Sequence, residues 1–334
     1  MADFFETGFC VREASWHRKE LLLSDYPESW DDGRMAAGLM WEPRLVPLYR
    51  QTTDESGNLT YEEVSDARLV ERDDNGSALG AVSGTFELIT HGEMGDIIEA
   101  VLDEPNVKIE TMGSVKGGRQ VYALIRLDEP LEIRGDIDGF GDQVVTLPFF
   151  ALLNSHDGTG ACKGTWTQVR VVCWNTVQAA AADGDRHGAQ FSLRHTSGVK
   201  ERIEDVKMVV AGARAEALRW KEIAETLATI RVSEDQQLQF LNEFIPVPPA
   251  GVVSDRVMGN VEKDRSRFLH VLRDSATNSG MQFNGLGLFN AAVEYADHLR
   301  GFNNAETYMG RQILRAEPMK TKALTLVRDL VSAN

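Results

Sequence analysis

The 334-residue sequence has only three cysteines, Cys10, Cys162 and Cys173. An odd count, with no CxxC pair and no paired Cys/His spacing, argues against a disulfide framework and a structural zinc site, and fits a reducing compartment. No run approaches the roughly 18 apolar residues that a membrane helix needs, so no membrane partner is expected. The first residues, MADFFETGFCVREASWHRKELL, carry early acids and no long apolar core, which argues against a secretory leader. Cytoplasmic placement is therefore expected. The sequence also lacks GxxxxGK[ST], GxGxxG, HExxH, GxSxG and an EF-hand loop. Those absences weigh against the common nucleotide-dependent and hydrolytic enzymes, and no cofactor is expected. There is no repeat of solenoid period and no low-complexity tail.

Positive charge is scarce overall, with 35 Lys and Arg against 51 Asp and Glu, a net of −16. The deficit is uneven. Residues 1–110 carry 9 basic against 24 acidic side chains, net −15, whereas residues 163–231 carry 11 against 8, net +3. Screening confines charge to a range of about 8–10 Å, so an acidic total is compatible with a locally basic groove. A soluble acidic protein with no charged partner fits the same composition.

Residues 10–48 read as mostly helical, with a turn at SDYPESWDD. Strands are expected at LVPLYRQ, NLTYEEV, ARLVERDD and ALGAVSGTFELI, with DDNG at 73–76 as a hairpin signal. A helix is expected over 93–103, with Ile97, Ile98, Val101 and Leu102 on one side. The strands VKIETMGSV and RQVYALIRL follow, joined by a tight KGG turn. Next comes a β-β-α unit: VVTLPFFALLNS, the turn HDGTG, TWTQVRVVC, and a helix that Asn175 can cap. QFSLRHT reads as a short extended piece. Over 198–230, Val199, Ile203, Val206, Val210, Ala213, Ala217, Trp220, Ala224 and Leu227 keep a +4/+3 spacing. That spacing fits a long helix packed on a sheet or a seam between subunits. PVPPAG breaks the chain before amphipathic helices at 289–300 and 319–331. The sum is an α+β fold: a mixed or antiparallel sheet with a β-β-(β)-α core, one long helix and a helical C-terminal region. Three divisions are expected, at 1–110, 111–231 and 232–334.

Two constellations bear on chemistry. Asp157, Cys173 and His195 could form a Cys/His/acid triad, although Cys173 also reads as a small buried residue at a strand end. His156-Asp157-Gly158 could offer metal ligands, but HDG is equally turn chemistry. Separately, Lys163, Arg170, Arg194, His195, Lys200 and Arg202 crowd together with Trp166, Trp174 and Asn175. Cations for phosphates and aromatic faces for bases are what single-strand binding needs; a solvated sheet face with two core tryptophans is the other reading.

NSHDGTG, then RVVCWNTVQAA, then RHT before a basic helix, resembles the phage and plasmid-like protein family built on domain of unknown function 932. AAGLMWEPRLVPLY, GGRQVYALIRL and FNAAVEYADH extend the resemblance over nearly the whole chain. Trp174 departs from it, standing where such proteins carry a small or polar residue. The family supplies no activity to transfer residue by residue. Antiparallel strands feeding a helix are also similar, at fold level, to Rad52-like single-strand annealing proteins, which assemble into rings or filaments without metal or nucleotide.

These observations favour an oligomeric protein that binds and anneals single-stranded DNA in phage or plasmid recombination. Phosphates would lie along Lys163, Arg170, Arg194, Lys200 and Arg202, with His195 and Asn175 nearby and Trp174 as a stacking platform. Single-stranded DNA and further copies of the chain are its expected partners. The alternatives are a Cys/His or metal-dependent hydrolase built on Asp157, Cys173 and His195, and an acidic host-interaction (anti-defence) protein.

Overall fold

The computed structural model describes residues 5–11, 21–102, 107–128, 130–134, 143–170, 190–198, 213–249, 251–300 and 318–332. Elements below are numbered over those residues.

The chain forms an eight-stranded sheet in the order β11-β10-β9-β7-β6-β1-β2, with β8 also pairing β9. Its strands are β1 (Phe5–Val11), β2 (Leu21–Leu23), β6 (Val107–Val115), β7 (Gln120–Leu127), β8 (Leu131–Arg134), β9 (Gln143–Ser155), β10 (Cys162–Arg170) and β11 (Gln190–Leu193). Every pairing is antiparallel except β1 with β2, which makes the sheet mixed. A separate antiparallel sheet holds β3 (Pro43–Thr53), β4 (Leu59–Arg72) and β5 (Ala78–Ser83). The helices are α1 (Trp30–Ala37), α2 (His91–Leu102), α3 (Ala213–Thr229), α4 (Glu234–Phe244), α5 (Asp255–Asp274), α6 (Gly285–Glu294) and α7 (Pro318–Ser332). The α+β class is as the sequence led us to expect.

Alternation explains the larger sheet. On β6, β7 and β9, Ile109, Met112, Val121, Ala123, Ile125, Phe150 and Leu152 point to one face and join a buried cluster. Trp30 of α1, with Met94, Ile97 and Ile98 of α2, covers that face. A second cluster collects Trp220, Ala224 and Leu227 of α3 with the aromatic residues of the C-terminal helices, and Ile133 of β8 joins it.

The N-terminal expectation needs correction. Within 10–48, the described helix is only α1; residues 10–11 and 21–23 are strand, while LVPLYRQ is strand as expected, within β3. Backbone pairing of β2 with β1 and of β1 with β6 decides this, and such long-range pairing is invisible to local helix propensity. NLTYEEV and ARLVERDD, expected as two strands, are one continuous β4, and GTFELI lies beyond the end of β5. The seam over 199–227 also resolves in part. Trp220, Ala224 and Leu227 are 1%, 0% and 2% exposed inside their own subunit, so this end of the helix leaves no seam for another subunit. Val199, Ile203, Val206 and Val210 lie outside the described residues.

Candidate functional site

Three connections meet at one end of the large sheet: the β6–β7 turn, the β9–β10 turn, and the stretch after β11. The first is Lys116-Gly117-Gly118, with φ of 58°, 66° and 84°, a left-handed run that glycine tolerates and Lys116 adopts at a cost. The second is the HDGTG turn. Its Asp157 carboxylate accepts from Ser155 Oγ (2.6 Å), Thr159 N (3.0 Å) and Thr159 Oγ1 (2.5 Å). Burial works to raise the Asp157 carboxyl, but those hydrogen bonds and the charge of Lys116 hold it below its ordinary value. Asp157 thus stabilises its own turn. His195, which a triad would have Asp157 orient, is instead held through Nδ1 by the Glu87 carbonyl at 2.9 Å, its ring stacked on Phe86.

Beneath the turn is a histidine pair that the sequence did not disclose. His91 opens α2, and its backbone amide is capped by the Glu42 carboxylate at 2.7 Å. Thr90 and Glu93 complete a capping box there. His91 Nδ1 lies 3.3 Å from the Leu39 carbonyl, which assigns the proton to Nδ1 and leaves Nε2 as an acceptor. His156 Nε2 then donates to His91 Nε2 across 3.1 Å. The consequence is a bare His156 Nδ1 with no partner among the described residues, in a residue that is 0% exposed. His195 Nε2 and Trp41 Nε1 are likewise buried and unpartnered. Trp41 meets His91 edge-on at 4.4 Å, and the Arg72 guanidinium lies 4.2 Å from the Trp41 ring centre.

All three imidazoles are neutral at neutral pH. Burial pushes His91 down to about 4, against the Leu39 carbonyl, which favours the charged ring. Burial drives His156 well below its ordinary value, with the charges of His91 and His195 acting the same way. Burial also lowers His195, opposed by the Glu87 carbonyl. Among the described residues no group of three or more His, Cys, Asp or Glu side chains is placed to hold a metal ion. Cys162 is buried, which pushes its thiol up to about 12 and leaves it unreactive.

Four basic side chains stand at this end, beside the carboxylates of Glu6 and Asp157. Lys163 lies opposite Ser192 on the β10–β11 pair, and Arg194 follows two residues later on the same face. Both are exposed. Arg119 is exposed and its carbonyl accepts the His156 amide at 2.8 Å, fixing the β6–β7 turn beside the HDG turn. Lys116 sits near enough to Asp157 to bias its charge. Lys116, Arg119, Lys163 and Arg194 therefore rim one end of the sheet. From β6 to β11 the rim crosses four interstrand gaps, roughly 19 Å.

The other expected contacts divide. His195 is 6% exposed and faces inward, and Trp166 packs against Phe150 at 5.1 Å in the core. Arg170 ends β10 opposite Thr146. Cys173, Trp174, Asn175, Lys200 and Arg202 lie outside the described residues. Sequence reading missed Lys116 and Arg119 because they stand some 45 positions before Lys163; the only signal was the pairing of β7 with β9.

No helix among the described residues is long and apolar enough to cross a membrane. No curated protein and no solved structure matches the chain. Residues 78–324, which span the rim, the histidine pair and the C-terminal helices up to the middle of α7, match the domain of unknown function DUF932, and the chain belongs to that family.

Proposed function

We propose that this protein binds single-stranded DNA across the basic rim and, as an oligomer, anneals complementary strands. The rim is the observation that carries the reading: four cations, two on the β6–β7 turn, one at the start of β10 and one just after β11, stand on one sheet end in a chain of net −16. Extended DNA passing along this end would meet Lys116, Arg119, Lys163 and Arg194. The net +3 of residues 163–231 points the same way. Annealing asks no bond-making of the protein; it holds a strand extended with its base edges free. His195 takes no part, because its ring is buried and neutral. A phage or plasmid setting belongs to this proposal.

The test is fluorescence anisotropy of a labelled oligonucleotide against salt. Each phosphate contact contributes about −0.7 to the slope of log affinity against log salt for single strands. The double variant Lys163→Glu/Arg194→Glu should weaken binding at least tenfold and flatten the slope by more than one. No binding at low salt, or a variant that binds with wild-type slope, sinks the reading.

A further inference from the structure

The exposed end of the β3–β4 ribbon has two unlike faces. Strand β5 pairs with β4 only over Ala67–Glu71, so among the described residues Tyr49–Glu63 forms a two-stranded arm with no third strand. On one face Arg50 Nη2 donates to Glu62 Oε2 at 2.7 Å, and Thr52 and Thr60 share a hydroxyl hydrogen bond at 2.7 Å. That face is internally satisfied. The register puts Tyr49 opposite Glu63, Tyr61 opposite Gln51, and Leu59 opposite Thr53, all on the other face. There Tyr49, Leu59 and Tyr61 are 55%, 62% and 68% exposed. A lone two-stranded ribbon is marginal in water, and an apolar stripe on it marks a contact surface. The arm is also acidic: Asp54, Glu55, Glu62 and Glu63 stand against Arg50 alone.

The C-terminal region carries a matching recess. A cavity of about 290 Å³ lies between the end of α3 and the start of α6, lined by Ala228, Thr229, Arg231, Gln282, Phe283 and Asn284. Its volume is near the floor for small-molecule sites, suited to a single aromatic side chain. Arg231 is its one charged lining residue, and Phe283, 58% exposed, forms an apolar lip. Asn284 caps α6 through Gly287 N at 2.8 Å, so the positive end of that helix borders the recess.

We propose that the arm of one subunit docks into this recess of a second copy of the chain. Tyr61 and Leu59 cover Phe283 and enter the cavity, while Glu63, on the same face, approaches Arg231 and the α6 N-terminus. The two surfaces differ, so the contact is heterologous. Repeating it gives a ring if the rotation closes and a filament if it does not. The basic rim is not used, so assembly does not depend on the DNA reading.

Sedimentation velocity at tens of micromolar protein tests this by complementation. The wild type should run above monomer mass. Leu59→Lys/Tyr61→Lys removes a competent arm, and Phe283→Glu removes a competent recess; each alone should run as a monomer with unchanged thermal unfolding. Mixed in equal amounts they should form a dimer, because each retains the surface the other lacks. Tyr61→Ser provides a milder arm variant should the double substitution misfold, with the same loss of mass expected. A monomeric wild type, variants that retain wild-type mass, or monomeric variants that fail to pair on mixing would each overturn the proposal. DNA binding is read separately by anisotropy on the monomeric variants, so failure of assembly and failure of the DNA reading are distinguishable.

Discussion

The sheet half and the C-terminal helical half are both well buried, but they bury different things. In the helical half, Phe240, Phe244, Phe268, Phe289 and Trp220 pack into a continuous aromatic core. Its buried ion pair is closed: Lys320 Nζ meets Asp297 Oδ1 at 2.6 Å, with exposures of 0% and 2%. The sheet half buries five polar atoms without partners among the described residues, Trp41 Nε1, Arg126 Nε, Thr146 Oγ1, His156 Nδ1 and His195 Nε2, where the helical half buries two, Trp220 Nε1 and Asn278 Oδ1. A buried polar atom left unpaired costs about 1–3 kcal/mol, so several together mark a region arranged for more than stability. On the proposed DNA-binding reading the helical half is scaffold; three of the five sheet atoms, on Trp41, His156 and His195, lie beneath the basic rim, while those on Arg126 and Thr146 lie towards the other end of the sheet.

Substitutions can break this contrast from either side. The largest effect belongs to Lys320→Ala, which leaves Asp297 buried without its cation. Denaturant unfolding should show a loss of about 3–5 kcal/mol. A change under 1 kcal/mol would mean that the pair is solvated and that the helical half is not closed.

Acid should next strike the sheet half. The folded state holds His91 neutral down to about pH 4, while the unfolded chain takes up that proton near 6.5. The unfolded state therefore binds more protons in this window, and stability falls as pH drops from about 6.5 towards 4. His91 alone accounts for on the order of 3 kcal/mol, and His156 and His195 act in the same direction. Thermal unfolding across pH 7.5 to 4.5 measures this. His91→Asn should flatten the profile, and an unchanged profile would remove the histidine pair from the account.

Gly164→Ala tests how tightly the sheet packs. A Cβ there would stand 2.1 Å from Phe191 Cε1 and 2.5 Å from Phe150 Cζ, with both rings in or against the core. Overpacking of this kind costs about 1–3 kcal/mol in chemical denaturation. It should also weaken DNA binding, since β10 and β11 carry Lys163 and Arg194. The smallest effect is Ser233→Ala in the helical half. It removes the hydroxyl that accepts from Gln236 N in a full capping box, for about 1 kcal/mol by denaturant melt and no change in DNA affinity. A loss of DNA affinity there would break the division between scaffold and site.

Much of the fold was legible because its signals are local. VKIETMGSV is β6 residue for residue, DDNG joins β4 to β5, and the helix expected at 93–103 spans His91–Leu102. The HDG turn was legible from its Asp and Gly. Its histidine was not, because the partner of His156 lies 65 positions away on another element. The basic rim was half visible: Lys163 and Arg194 stood out against an acidic chain, while Lys116 and Arg119 looked like turn residues.

The sequence by itself determined the α+β class, the strand and helix faces, the turns, and the uneven charge, because periodicity, propensity and composition are properties of neighbouring residues. Tertiary structure alone decided that His91 and His156 share a proton across 3.1 Å, that His195 faces inward, and that four cations rim one sheet end. It also decided that Trp220, Ala224 and Leu227 close a core within the subunit, while Tyr49, Leu59 and Tyr61 remain outside. Each of these outcomes depends on strand register and helix docking between distant segments, and such long-range pairings leave no pattern in any short stretch of chain.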